Sequence, residues 1–262
     1  MATELGTHSP KLDAVRALRT KAGRREQGRF AVEGATMLAE ALAAGRVPEA
    51  VYATRAGLAA LGPDAPRLAD RTFVVTDRAM ERLSDLETAP GLLAVHPFGF
   101  EDLDDVLRDG EPAVLLAGVS DPGNAGTLLR TAEIFGFPAA ICAAGAVEPH
   151  NPKVVRATMG AIFRLRICVC DADTLLATAR GRGYAVVAAT RDGIALPSFT
   201  FPKRAIVAIG NERRGVASWL PRWDFGVSIP QPGAGESLNA AIAGGIIFYT
   251  FSQQSTGMNL KT

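Results

Sequence analysis

Three segments of this 262-residue chain carry polar side chains where packing alone would ask for none, and each follows an apolar run. In GVSDPGNAGTLLRTAEIFGF (118–137), Asp-Pro-Gly-Asn makes a turn directly after a strand-like run. Gly126 permits close backbone approach at a helix start, with Asn124 just before it and Arg130 one to two turns further in. In AIVAIGNERRGV (205–216), Gly210 and Asn211 end a run, Glu212 and the pair Arg213–Arg214 follow, and Gly215 allows another turn. In SIPQPGAGESLNAAIAGG (228–245), Pro230, Pro232, Gly233 and Gly235 make a rigid loop poor in side chains, and Ser237 and Asn239 open the last helix. Open α/β sheets bind ligands at the carboxyl ends of their strands, so three such loops can build one pocket. Each segment alone also has a plainer reading: a solvated arginine, a loop of surface ion pairs, or an ordinary helix cap.

Several chemistries lack their residues. The glycines miss the G-x-G-x-x-G spacing of a dinucleotide site, and no G-x-x-x-x-G-K-[ST] loop is present. No G-x-S-x-G elbow supports a hydrolase triad. Cys142, Cys168 and Cys170 all lie in apolar runs, and Cys168 and Cys170 alternate as buried small hydrophobes of a strand would. His150 reads as a turn residue and His8 as part of a mobile terminus, so no metal site is expected.

The elements that position these loops change character along the chain. Leu12 to Leu18 place apolar residues at helical spacing among Lys and Arg, which predicts a basic amphipathic helix. RFAVEG (29–34) predicts a strand, ATMLAEALAAG (35–45) a helix ending at Gly45, and VPEAVYAT and RTFVVTD two more strands. Residues 1–97 are thus expected to form a small α/β domain. Residues 98–112, acidic and bounded by turn formers, read as a linker. From residue 113 to 256 the rhythm is of apolar runs without alternation: 113–119, 139–144, 165–170, 184–190, 205–210 and 225–230. Such runs suit strands buried on both faces. Helical patterns at 127–135, 153–163 and 174–180 lie between them, implying an α/β domain with a parallel sheet. Residues 257–262 read as a frayed tail.

Bulk properties narrow the partners. The chain is 48% hydrophobic and 21% charged, enough to bury a core. The longest near-apolar stretch, 240–249, is half of the roughly 20 residues a membrane span needs. The N-terminus lacks the apolar core of a secretion signal, and an odd cysteine count argues against a disulfide framework, so a cytoplasmic protein is expected. Net charge is only +1, yet residues 11–29 hold seven basic side chains against two acidic ones. That asymmetry points a polyanion to the N-terminal end.

Taken together, the three segments resemble the signature motifs of the SpoU (TrmH-type) RNA 2′-O-ribose methyltransferases of the SPOUT superfamily. Asp121 to Gly136 fits D-P-x-N-x-G-x-x-x-R-T-A-x-x-F-G at every fixed position. Gly210, Glu212 and Gly215 fit G-x-E-x-x-G, and Ile229 to Asn239 fits I-P-x-x-G-x-x-x-S-L-N. HNPKVVRATMGAIFRL (150–165) resembles the family's connecting segment, with Met159 where a small residue is usual. RREQGRFAVEG (24–34) resembles the start of a substrate-binding domain often fused upstream.

The resemblance implies a deep trefoil knot in the C-terminal domain and S-adenosylmethionine as methyl donor, held largely through backbone groups, with no metal. It makes Asn124, Arg130, Glu212, Ser237 and Asn239 the catalytic candidates, and Thr190, Gly210, Ile229 and Leu238 the donor-binding ones. It implies structured RNA as substrate, ribosomal more than transfer RNA, and a homodimer. Arg16, Arg19, Arg24, Arg25, Arg29, Lys153 and Arg156 are the candidate RNA contacts. Two other classes are disfavoured: an RNA-binding assembly factor that kept the fold but lost the chemistry, by the intact set of Asn124, Arg130, Glu212, Ser237 and Asn239, and a nucleotide-dependent oxidoreductase, by the missing glycine fingerprint.

Overall fold

The computed structural model describes residues 3–6, 9–233 and 237–255. His8, Gly235 and the tail 257–262 lie outside the described residues. The chain forms two compact units, Met1–Gly99 with His150–Phe163, and Phe100–Pro149 with Arg164–Thr262.

The first unit holds strands β1 (Thr3–Glu4), β2 (Arg29–Glu33), β3 (Ala50–Ala53), β4 (Thr72–Val74) and β5 (Leu92–Pro97) in one sheet of order β1-β4-β3-β5-β2. β5 runs antiparallel to both its neighbours. The expected basic helix is present at Pro10–Ala17. It buries Leu12 and Val15, and Leu18 just beyond its end, in a cluster with Tyr52, Met80 and Leu93. Segment 150–163 departs from its expected place in the C-terminal domain. Its helix Pro152–Ala157 packs on β2, and the His150 ring stacks on Phe98 at 4.5 Å and meets Phe30 at 4.7 Å. Burial holds His150 and His96 neutral, with pKa values lowered to about 3 and about 4.

The second unit contains β6 (Ala113–Ala117), β7 (Ala139–Ala143), β8 (Arg166–Cys170), β9 (Ala185–Ala195), β10 (Ala205–Gly210) and β11 (Phe225–Ser228). They form an all-parallel sheet of order β11-β9-β10-β6-β7-β8. β6, β7 and β10 are buried at every residue, as their unbroken apolar runs require. Stretch 98–112 is no bare linker. It contains a helical turn, Leu103–Val106, and buries Leu103, Val106 and Leu107 in this unit's core. Its acidic character serves ion pairs, Glu111 with Arg166 and Asp104 with Arg182, both at 2.6 Å.

Two local features shape the loops at the carboxyl edge. The helix after β6 begins at Pro122, five residues ahead of the expected 127. Asp121 caps it by accepting the Asn124 N–H at 2.7 Å, and Pro122 suits the first turn. β9 runs to Ala195, beyond its expected end at 190. Its pairing with β11 slips there, from Ala188 opposite Gly226 to Ile194 opposite Val227, so residues 189–193 bulge out.

Candidate active site

The strand order reverses direction between β6 and β10, and their following loops meet at that point. Asn211, just past β10, donates its side-chain amide to the Gly118 carbonyl at 3.1 Å. The same amide lies 3.3 Å from Ser120 Oγ, which donates to Glu212 Oε2 at 3.2 Å. Asn124 donates its amide to Glu212 Oε1 at 3.1 Å. Asn239 donates to Asn124 Oδ1 at 3.0 Å, while its own Oδ1 accepts the N–H groups of Ala241 and Ile242. Asn239 therefore caps the last helix and joins this hydrogen-bonded network at once.

Glu212 sits at the centre of this network. Partial burial raises its carboxyl pKa. Hydrogen bonds from Asn124, the backbone and Ser120 outweigh that and hold it below the usual carboxylate value.

Beside the network lies a cavity of about 860 Å³, lined by Thr190, Glu212, Ile229, Ser237 and Leu238 among others. The β9 bulge, residues 189–193, forms one wall and the loop 211–215 another. Gly210 is required where it stands, because a Cβ there would meet the Val216 nitrogen at 2.1 Å. Its contribution is the close packing of the loop behind the cavity. The volume lies in the roughly 300–1,000 Å³ range of small-molecule sites. Apolar side chains from Val216, Ile229, Leu238 and Ile247, beside backbone of three loops, suit a nucleoside with a polar tail.

Arg130 is not part of this constellation within one chain. It is exposed, does not line the cavity, and has no hydrogen bond or ion pair among the described residues. It follows Asn124 by six residues, about 240° round an ideal helix, so the two side chains leave in different directions. Asn124 and Glu212 hold each other.

The candidate RNA contacts divide as well. Arg24 is only 2% exposed and donates to the carbonyls of Leu18 and Arg19, which follow the first helix. That burial removes it as a phosphate contact. Arg19 and Arg156 share Asp85 at 3.5 and 3.3 Å, Arg29 pairs with Glu49 at 2.6 Å, and Arg16 with Asp13 at 3.4 Å. Arg25 and Lys153 are exposed and carry no ion pair among the described residues. Ser120, Asn211, Arg213 and Arg214 join the site without having been singled out as site residues. All four lie within the motif-bearing segments, which was the only signal available.

Comparison with known proteins decides the family. The profile of the SpoU rRNA Methylase family matches residues 111–249, just over half of the chain. The chain belongs to that family. The profile of the MRM3-like substrate binding domain matches residues 9–94 of this SpoU methyltransferase. Among its relatives is the 23S rRNA (guanosine(2553)-2′-O)-methyltransferase RlmP of Bacillus subtilis, 26% identical, with 88% of this chain and 92% of that protein covered. Another is the 23S rRNA (uridine(2479)-2′-O)-methyltransferase of Streptomyces viridochromogenes, 30% identical over 71% of this chain and 68% of that one. The AdoMet-bound rRNA methyltransferase of Sinorhizobium meliloti superposes with a TM-score of 0.83 at 25% identity, covering 97% of this chain and 98% of the other. AviRb of Streptomyces viridochromogenes in complex with AdoMet gives 0.84 at 26% identity, over 95% and 99%. The SpoU protein described here is thus an RNA methyltransferase with a substrate-binding domain. None of its described helices is long and apolar enough to cross a membrane.

Proposed function

We propose that this enzyme transfers the methyl group of S-adenosylmethionine to a ribose 2′-hydroxyl of ribosomal RNA, in the cytoplasm. One observation supports this above the rest. Asn124, Glu212 and Asn239, from three motifs far apart in the chain, form a single hydrogen-bonded set at the rim of a cavity fit for a nucleoside. The relatives named above act on 23S rRNA at ribose, which favours ribosomal over transfer RNA.

Bound S-adenosylmethionine supplies a methyl carbon on a sulfonium, an electrophile already activated. The difficulty is the nucleophile, because a ribose hydroxyl is a weak acid. Residues of this chain lower that barrier by position and charge. Thr190, Ile229, Ser237 and Leu238 line the donor cavity, and the fixed turn at Gly210 gives it its shape. Glu212, kept ionised by Asn124 and Ser120, orients the ribose, and Asn239 fixes Asn124. Arg130 stabilises the developing alkoxide. Its guanidinium places a positive charge beside that oxyanion.

Arg130 does this across a homodimer. It stands four residues before Ile134 on one helix face, and Ile134 is 61% exposed. Ile242, Ile246 and Tyr249 of the helix packed alongside are exposed too. A second copy covering this apolar face would bring Arg130 to the neighbouring cavity. The C-terminal trefoil knot belongs to the same reading, supported by the return of β10 into the gap between β9 and β6. Stretching single molecules by their ends would leave a residual knot, shortening the fully extended length.

Transfer of tritium from labelled S-adenosylmethionine to ribosomal RNA tests the activity. Arg130→Ala is expected to lose about 100-fold or more while still binding the donor. Undiminished transfer by that variant would remove Arg130 from the mechanism.

A further inference from the structure

The loop after β10 carries two arginines that none of these roles uses. Residues 211–215 form a tight turn in which Asn211 and Gly215 exchange backbone hydrogen bonds of 3.3 and 2.9 Å. Asn211 Oδ1 accepts the N–H groups of both Arg213 and Arg214 at 3.1 Å. Its amide is anchored on Gly118, and the Gly210–Val216 backbone contact closes the turn from behind. The backbone under the two arginines is therefore fixed. Both line the large cavity beside Glu212. Both are exposed, and neither guanidinium has an ion pair or hydrogen bond among the described residues. Three arginines of the same unit are matched to carboxylates, Arg164 to Glu133, Arg166 to Glu111 and Arg182 to Asp104, whereas these two, like Arg130, are not.

Two uncommitted cations on a rigid turn at a cavity rim call for an anion. Two anions come within reach of such a rim, an RNA phosphodiester and the carboxylate of the methyl donor. We infer that Arg213 and Arg214 form a clamp for the RNA phosphodiesters flanking the ribose that receives the methyl group. The inference rests on the proposed function. A single donor carboxylate would leave one guanidinium unmatched, whereas an RNA strand presents a phosphate on each side of every ribose. Guanidinium forks match phosphate oxygens in bidentate geometry, and phosphate contacts of this kind set register on a nucleic acid without reading its sequence.

The test is equilibrium binding of a ribosomal RNA fragment to the full-length protein over a range of salt, comparing wild type with the double variant Arg213→Gln, Arg214→Gln. The clamp predicts that RNA affinity falls about 10- to 100-fold and that the slope of log K against log salt shrinks by about 1 to 2. Donor affinity by calorimetry stays within about twofold, and the Arg→Lys double variant recovers most of the slope. An unchanged slope overturns the clamp. So does a donor affinity lowered about tenfold with RNA binding intact, which would assign the pair to the donor's carboxylate. RNA binding lost in the variant, from a wild type that transfers no methyl group, would sink ribose methylation and keep the clamp. Normal transfer with an unchanged slope would do the reverse.

Discussion

Asn124 gives its backbone N–H to Asp121 and its side-chain amide to Glu212, and takes a hydrogen bond from Asn239. A residue so placed sets both the helix start and the charge state of the carboxylate opposite. Burial raises the Glu212 carboxyl and the donors lower it, with the donors ahead. Activity that needs the Glu212 anion should then hold from neutral pH down past the ordinary glutamate value. In Asn124→Ala the first of those donors is gone and burial regains weight. The acid limb of the kcat profile should move to higher pH, with a loss of about 10- to 100-fold at neutrality. An acid limb that stays in place while activity falls would mean that Asn124 acts on the substrate and not through Glu212. At this scale the sequence pointed to Asn124, Glu212 and Asn239, which the fold brings into one hydrogen-bonded set. It misled at Arg24, because nothing local distinguishes a buried guanidinium capping two carbonyls from a solvated one.

Among the elements, the buried strands were legible because full burial leaves an unbroken apolar run, as in β6, β7 and β10. The 98–112 stretch was not, since the carboxylates that pair with Arg166 and Arg182 make a packed segment look like a spacer. The far end of β9 was hidden for another reason: its residues 189–193 bulge from the ladder to wall the cavity, and their polar character breaks the run. The C-terminal helix Ala240–Ser255 shows how small residues direct packing. A Cβ on Gly244 would meet Leu128 Cδ2 at 2.2 Å, so that face lies tight on the Pro122–Ile134 helix, and Ile242, Ile246 and Tyr249 turn outward. If these residues form the dimer face, Ile242→Glu with Ile246→Glu should yield a monomer by light scattering with unchanged helicity, and activity should fall with the dimer. A double variant that keeps the wild-type mass would place the interface elsewhere.

The whole molecule interleaves the chain between a substrate-binding unit and a methyltransferase one, with residues 150–163 belonging to the first unit although two strands of the second precede them. Pattern reading assigns each stretch to its sequence neighbours, so this return was out of reach; it is made by ring contacts between His150, Phe30 and Phe98, which are distant in sequence. Lys153 and Arg156 travel with it into the substrate-binding unit. What the enzyme does to RNA turns on the atom that receives the methyl group. A ribose 2′-hydroxyl is the nucleophile in alkaline cleavage of RNA, so its methylation protects the adjoining phosphodiester. Ribosomal RNA labelled by this enzyme should yield its radiolabel in alkali-resistant dinucleotides, at a single position. Label released wholly in mononucleotides would place the methyl group on a base and contradict the account.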